Sequence, residues 1–252
     1  MAGNPNTVIG MVLFKNFTHL DLTGPFEVFG RLPHARVFAV AAEQEVVTSD
    51  TGLNVVPDLA FEDAPPFDVI CVPGGPGVNE MLEDEGFLEF LRDQGKQARF
   101  VTSVCSGALL LGAAGLLRGY RATTHWMSMD LLAPFGAIPV ADRVVIDRNR
   151  ISGGGVTAGI DFGLTVAAML AGEDVAKRIQ LMLEYNPAPP YASGSPDSAE
   201  PRIVAQVREQ GAKYLDARRD IVKRAAARLE SGPANQGRKR SRTEAGGNGQ
   251  DS

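Results

Sequence analysis

Four short, mainly apolar runs mark the first 104 residues of the chain, and none of them shows a regular alternation of apolar and polar residues. Runs of this kind, rich in β-branched side chains, are typical of strands that are buried on both faces of a sheet. We therefore predict buried strands at residues 8–14, 37–41, 68–72 and 100–104. Weak alternation over residues 46–61 indicates short strands or a hairpin at the sheet periphery, and residues 143–146 predict a further strand.

Segments with helical spacing separate these strands. We predict helices at residues 26–32, 87–97, 109–117, 129–135 and 158–170. Pro25 falls near the first turn of the first helix, where a missing N–H is tolerated. The last helix is apolar almost all round and is therefore expected to be buried. Strands that alternate with helices favour βαβ units and a mostly parallel sheet covered on both faces.

The C-terminal third divides the chain further. Residues 187–201 form a Pro- and Ser-rich connector, and residues 202–229 return to helical spacing. After residue 230 the sequence is too polar to bury a core. We predict an α/β domain over residues 1–195, a helical extension over residues 196–230 packed on the domain or on a partner subunit, and a disordered tail over residues 231–252. The basic run at residues 238–242 resembles a nuclear-import or nucleic-acid patch, but a solvated tail is the preferred interpretation.

Composition excludes several classes of protein. The 252 residues carry a formal net charge of −5, which argues against nucleic acid as the main partner. Two cysteines cannot staple a disulfide-rich secreted domain. No signal-peptide pattern and no run of about eighteen apolar residues is present, so we expect a soluble cytoplasmic protein without a membrane span.

Cys105 is the strongest candidate for chemistry, because it lies where a buried strand ends and a helix begins. A strand-to-helix elbow presents its side chain at the sheet edge under backbone strain. The following helix is expected to favour the thiolate and to lower the pKa of the thiol. Considered alone, a packed small residue is the more common role for such a cysteine. Cys71 lies within an apolar strand and is expected to be an inert core thiol; neither cysteine has metal-ligand spacing.

Asp21 and a glycine loop follow two other predicted strands at the same edge of the sheet. Asp21 is expected to act as a general acid or base beside the thiol, or as the N-cap of the next helix. Gly74 and Gly75 allow backbone N–H groups to approach a substrate, although a plain turn accounts for them equally well.

The remaining candidates are histidine and tryptophan side chains. His125 could complete a Cys–His pair, but a hydrogen-bonded structural histidine is the preferred interpretation. His19 and His34 lie in loop-like segments and are expected at the surface. Trp126 is expected to fill a pocket wall or the core.

Several motifs together resemble the ThiJ/PfpI superfamily. These are LDLTGP at 20–25, PGG at 73–75, TSVCSG at 102–107, ATTHW at 122–126, GGGVTAGID at 153–161, LEYNPAPP at 183–190 and GSPD at 194–197. The resemblance spans residues 7–229. It implies a flavodoxin-like three-layer α/β sandwich of the class I glutamine amidotransferase type, with a mostly parallel sheet. It also implies a homodimer and a nucleophilic Cys105.

Within the superfamily, the sequence is most similar to the isocyanide hydratases. Asp21 stands where many members have Glu, as in the hydratases, and Ser106 stands where protease- and glyoxalase-type members often have His. The hydratases tend to have Thr there, so Ser106 keeps the hydroxyl. The resemblance implies hydration of an isocyanide to an N-formamide through a covalent thioimidate on Cys105, with Asp21 supplying a proton.

The resemblance implies no metal and no cofactor. It places the backbone amides of Gly75 and Ser106, next to Gly74, around the substrate or water. The pocket candidates taken from the matching motifs are Thr102, His125, Trp126, Ile160 and Phe162.

Three alternatives remain open. The first is a glyoxalase or deglycase that uses the same Cys105 on methylglyoxal-like carbonyls. The second is a non-enzymatic, amidase-like sensor domain of a transcription regulator, although residues 201–252 are too short and too Gly-rich for a helix-turn-helix module. The third is a redox sensor, because an exposed thiol of low pKa oxidises readily.

Overall fold

A computed structural model of the chain describes residues 7–231. Its strands are β1 (Thr7–Val12), β2 (Ala35–Ala41), β3 (Val47–Thr48), β4 (Asn54–Val55), β5 (Leu59–Ala60), β6 (Val69–Val72), β7 (Phe100–Val104), β8 (Arg121–Ala122), β9 (Ile138–Pro139), β10 (Val144–Asp147) and β11 (Arg150–Gly153). Its α-helices are α1 (His19–Phe29), α2 (Val78–Met81), α3 (Glu85–Gln97), α4 (Gly107–Ala113), α5 (Ala158–Ala171), α6 (Glu173–Met182) and α7 (Pro201–Ser231). Within residues 7–231, no helix is both long enough and apolar enough to cross a membrane.

Seven strands form the central sheet in the order β10-β11-β7-β6-β1-β2-β5. Every pair is parallel except β10 with β11. Helices cover both faces, so the predicted flavodoxin-like α/β sandwich with a mostly parallel sheet is confirmed. Strands β3 and β4 pair as a separate antiparallel hairpin, as the weak alternation there predicted.

The order of the strands creates a switch point in the sheet. From β1 the chain moves to β2 on one side, and from β6 it moves to β7 on the other side. Open α/β sheets bind their ligands at the carboxyl ends of the strands beside such a point. Asp21, Gly74 and Cys105 follow β1, β6 and β7, so this topology brings the three sequence candidates to one edge.

Close contact between α1 and α5 depends on small residues. A Cβ added at Gly159 would lie 3.0 Å from Cδ of Pro25, and one added at Gly163 would lie 3.1 Å from Cβ of Val28. The two helices therefore pack with their backbones close together beneath the site, and α1 holds Asp21 in a fully buried position.

The structure corrects several boundaries. Helix α1 begins at His19, ahead of the predicted start at residue 26, and Pro25 lies in its interior. Helix α4 ends at Ala113, because Gly115 adopts a positive φ of 78°. Strand β11 and helix α6 were not predicted: β11 contains Arg, Ser and Gly, and its pairing with β7 in the sheet outweighs their low strand propensity.

Helix α7 runs from Pro201 to Ser231, close to the predicted residues 202–229. Its second half packs on the domain, where Val222 and Ala225 join the hydrophobic core. The Arg228 guanidinium donates to the Leu82 carbonyl oxygen at 2.8 Å, which ties the helix to the end of α2. Apart from Ser231, the tail predicted over residues 231–252 lies outside the described residues.

Candidate active site

Cys105 lies on a sharp turn between β7 and α4. Its φ of 56° is in the left-handed region, which non-glycine residues rarely adopt. The Cys105 N–H donates to the Gly153 carbonyl oxygen at 3.0 Å, and its own carbonyl oxygen accepts from Oγ1 of Thr124 at 2.8 Å. A Cβ on Gly107 would lie 2.2 Å from the Val72 carbonyl oxygen, so the turn requires glycine there. The strained elbow expected from the sequence is present, with the side chain almost fully buried.

Asp21 is the carboxyl partner of this thiol. Its Oδ2 accepts from the Gly74 N–H at 2.9 Å, and its Oδ1 has no hydrogen-bonding partner of its own among residues 7–231. The Cys105 thiol lies close enough to interact with the carboxyl group. Thr18 is the N-cap of α1, and Asp21 is the third residue of the helix, so the N-cap interpretation of Asp21 was wrong.

Burial governs the proton affinity of both groups. Desolvation raises the pKa of Asp21 to about 7, against the opposing effect of the Gly74 N–H. Desolvation and the nearby Asp21 raise the pKa of the Cys105 thiol well above its usual value. The expected lowering by the helix was therefore wrong, because α4 has only seven residues and the sulfur is removed from water. Near pH 7 the pair holds between one and two protons.

The backbone amides of the glycine loop donate hydrogen bonds to side chains of the site itself. The Gly75 N–H donates to Oγ of Ser106 at 3.1 Å, so this amide is already occupied, in contrast to its predicted contact with substrate. The Ser106 N–H interacts with the Cys105 sulfur. A Cβ on Gly74 would lie 2.5 Å from the Ser106 nitrogen, so the loop and the elbow approach each other at a distance that only glycine allows.

The predicted pocket residues do not share one pocket. Oγ1 of Thr102 donates to the Ile70 carbonyl oxygen at 2.9 Å, so this fully buried side chain braces β7 against β6. Phe162 is fully buried and packs edge-on against Phe29, in the core under α1. The prediction that Phe162 forms a pocket wall was therefore wrong.

Ile160 and Trp126 line two different depressions. Ile160 borders a cavity of about 370 Å³ whose other walls include Leu20, Leu183 and Tyr185. Trp126 borders a groove of about 310 Å³ next to α7, with the Arg208 guanidinium over its ring. Only the first of these is mainly apolar and adjoins the turn of α1 that carries Asp21.

His125 caps a short 3-10 helix, Trp126–Leu131. Its Nδ1 accepts from the Met127 N–H at 3.4 Å, which matches the structural interpretation. Burial, together with the positive charge of Arg218, lowers the pKa of His125. Among residues 7–231, no three His, Cys, Asp or Glu side chains are grouped so that they could hold a metal ion.

Sequence reasoning missed two residues on α7. Arg218 is buried and donates to the Gly75 carbonyl oxygen at 2.9 Å, and the Tyr214 hydroxyl donates to the Pro76 carbonyl oxygen at 3.2 Å. A signal for Arg218 was present, because it lies three residues after Leu215 and four before Val222 and so falls on the apolar face of the helix. A charged residue on that face points to a specific buried partner.

Comparison with known proteins identifies the family. The sequence profile of the DJ-1/PfpI family matches residues 8–169. The chain is 56% identical over 221 residues to the isonitrile hydratase of Pseudomonas putida, which covers 88% of this chain and 97% of that protein. It is 30% identical to the HTH-type transcriptional regulator GbdR of Pseudomonas aeruginosa, over 72% of this chain and 51% of the regulator.

A solved structure extends the likeness to three dimensions. The crystal structure of a ThiJ/PfpI family protein from Pseudomonas syringae superposes with a TM-score of 0.84 at 43% identity, covering 88% of this chain and 90% of that one. The resemblance seen in the motifs is confirmed, and the chain belongs to the DJ-1/PfpI family.

Proposed function

We propose that this chain is an isocyanide hydratase, which converts an isocyanide (isonitrile) and water to an N-formamide. The observation that carries the proposal is the buried carboxyl–thiol pair of Asp21 and Cys105 on the strained elbow. The similarity to an isonitrile hydratase over nearly all of that protein supports the same reaction. The geometry suits it because one buried carboxyl can move a proton between the sulfur and a carbon held beside it.

The first step joins the sulfur to the isocyanide. Asp21 takes the thiol proton as the Cys105 sulfur attacks the terminal carbon of R–N≡C. Asp21 then gives that proton to the same carbon, and the product is a thioimidate, R–N=CH–S–Cys105. The free Oδ1 of Asp21 is the atom we assign to this transfer, because Oδ2 is held by the Gly74 N–H.

The second step uses water. The water oxygen adds to the thioimidate carbon and one water proton reaches the nitrogen, which gives a tetrahedral adduct. The adduct expels the sulfur and its hydroxyl proton returns to the thiol, so R–NH–CHO leaves and the enzyme is restored. The chemistry is complete with protein groups and water alone.

The substrate pocket is assigned from its polarity. The R–N≡C group is uncharged and nearly linear, and an apolar R group gains free energy when it leaves water. We propose that the cavity bordered by Leu20, Ile160 and Leu183 receives R, since its walls are mainly apolar and it adjoins the α1 turn that carries Asp21.

The test compares two substrates in one preparation. We expect an alkyl isocyanide such as cyclohexyl isocyanide to be hydrated with a kcat/KM at least about tenfold above that for methylglyoxal, a difference of about 1.4 kcal/mol in transition-state binding. Chromatography of the N-formamide and of lactate measures the two reactions. If methylglyoxal is the better substrate, the glyoxalase alternative replaces this proposal, while the family and the fold are unaffected.

We also propose that the chain forms a homodimer. Leu181 and Met182, at the end of α6, are 81% and 72% exposed, which is unusual for such large apolar side chains next to a folded core. Sedimentation equilibrium is expected to give twice the chain mass of 26.8 kDa. A mass of one chain at micromolar concentration would contradict the proposal.

A further inference from the structure

Arg218 is a buried cation without a carboxylate partner. Its side chain is 3% exposed, and no ion pair with Asp or Glu forms on it among residues 7–231. Neighbouring arginines of α7 behave differently: Arg219 pairs with Asp130 and Asp216, and Arg224 pairs with Glu83, all near the surface. Removing a charge from water is unfavourable unless other groups compensate it. Other groups must therefore compensate the buried positive charge of Arg218.

Neutral oxygens satisfy the guanidinium group. Nε donates to Oδ1 of Asn79 at 2.7 Å, and Nη2 donates to the Gly75 carbonyl oxygen at 2.9 Å. Weaker or further contacts reach Oγ of Ser128 at 3.4 Å and the Tyr214 hydroxyl. These bonds hold the loop that carries Gly74 and Gly75, but they supply no negative charge.

The negative charge that arises in this region belongs to the catalytic pair. The Gly75 carbonyl oxygen bound by Arg218 is in the same loop as the amides that hold Asp21 and Ser106. Two hydrogen bonds through the glycine loop thus connect Arg218 to Asp21, and two connect it to Ser106, the neighbour of Cys105. It lies close enough to Cys105 for its positive charge to act on the sulfur.

We infer that Arg218 is a positioning residue for the hydration reaction: it fixes the glycine loop through the Gly75 carbonyl oxygen, and its charge stabilises the thiolate of Cys105 as it forms. The inference rests on the proposed role of Cys105 as nucleophile, but not on the identity of the substrate.

The charges around the sulfur set the direction of the effect. Asp21 on α1 raises the pKa of the thiol, and Arg218 on α7 lowers it. Three further charge interactions are present. The charge of Asp50 affects the pKa of Asp21, and the charge of Arg218 affects the pKa of His125. Tyr214 on α7 interacts electrostatically with both Arg218 and Cys105. Arg218 is the cation among these groups, so its removal is expected to raise the pH at which the thiol ionises.

The experiment measures the ionisation of Cys105 directly. In the full chain, the rate of Cys105 alkylation by iodoacetamide is followed against pH by peptide mass spectrometry. Arg218→Gln keeps donors of similar reach and loses the charge, Arg218→Met fills the same volume without charge, and Arg218→Lys keeps the charge and loses the planar fork. Arg219→Gln, next to it on the exposed face, is the matched control.

We expect the alkylation midpoint to rise by about one pH unit or more in the Gln and Met variants, and kcat/KM to fall by about tenfold or more. The Lys variant is expected to keep the midpoint of the parent chain, and the Arg219→Gln variant to keep both the midpoint and the activity. A folded Gln or Met variant with the parent midpoint overturns the inference. If one of them fails to fold, the other decides, because Gln can still donate to the Asn79 and Gly75 oxygens, whereas Met fills the volume with apolar atoms.

Failure of this inference is distinguishable from failure of the proposed function. A parent chain that hydrates no isocyanide refutes the function, yet its alkylation profile still reports on Arg218. A parent chain that hydrates isocyanides while the Arg218 variants keep its alkylation midpoint refutes only the role of Arg218.

Discussion

Replacing Cys105 with alanine is expected to abolish isocyanide hydration, with a fall in kcat of about 10³-fold or more, because the proposed covalent step depends on the Cys105 sulfur. Alanine occupies less space than cysteine and accepts the same backbone conformation at similar cost, so the fold is expected to persist. Formamide production and circular dichroism of the same preparation measure the two effects.

Cys71 provides the matched control. It is fully buried within β6, and burial raises the pKa of its thiol to about 12, so it has no thiolate at neutral pH. Cys71→Ala is expected to keep the kcat of the parent chain. Turnover that survives in Cys105→Ala would remove the covalent mechanism, whatever the Cys71 variant does.

Asp21→Asn is expected to lower kcat/KM by about 10²–10⁴-fold, because asparagine keeps the shape and the Gly74 contact but cannot carry the proton. The pH profile gives an independent measure. The reactive pair holds one proton, so kcat/KM of the parent chain should rise with pH and level off near pH 7, the pKa to which burial raises Asp21. The asparagine variant should lack that rise.

One control variant and one stability measurement accompany Asp21→Asn. Asp50 is exposed and raises the pKa of Asp21 through its charge, so Asp50→Asn should keep activity and move the rise in kcat/KM to lower pH.

The raised pKa also means that Asp21 stabilises the fold below about pH 4 and that this contribution is lost as the pH rises through about 7. Asp21→Asn should therefore melt at a higher temperature than the parent chain at about pH 8. If kcat/KM of Asp21→Asn falls by less than tenfold, Asp21 has a positioning role only.

The sheet was predictable because its strands are buried on both faces. Residues 100–104 were predicted as a strand and form β7 with the same bounds, since a short β-branched run has few other ways to bury itself. The juxtaposition of Asp21 and Cys105 followed from the rule that parallel strands end at the same edge. Strand β11 was not predicted because its own side chains show no apolar pattern. It is a strand because it pairs with β7.

The site was predictable as far as residue type determines chemistry. The sequence indicates a cysteine and a carboxylate, but their proton affinities depend on how completely the fold removes water, and periodicity does not report that. The Gly75 amide was assigned to substrate because the sequence cannot show that Oγ of Ser106 already accepts from it. The prediction of Thr102 and Phe162 as pocket residues was wrong for a related reason. The matching motifs place both residues near the site along the chain, but the pleat of the strand and the face of the helix direct both side chains into the core.

The hydrogen bond between Arg218 and Gly75 affects the order in which parts of the protein fold. It joins residues 143 positions apart, whereas the elbow, the carboxyl and the glycine loop all come from the first half of the chain. A growing polypeptide can complete the sheet as far as β11 and still leave the glycine loop unbraced, because loop closure over so long a separation comes late. The thiol of Cys105 thus receives its neighbouring cation only when α7 docks, so the electrostatic surroundings of the site are completed by the last helix of the described chain.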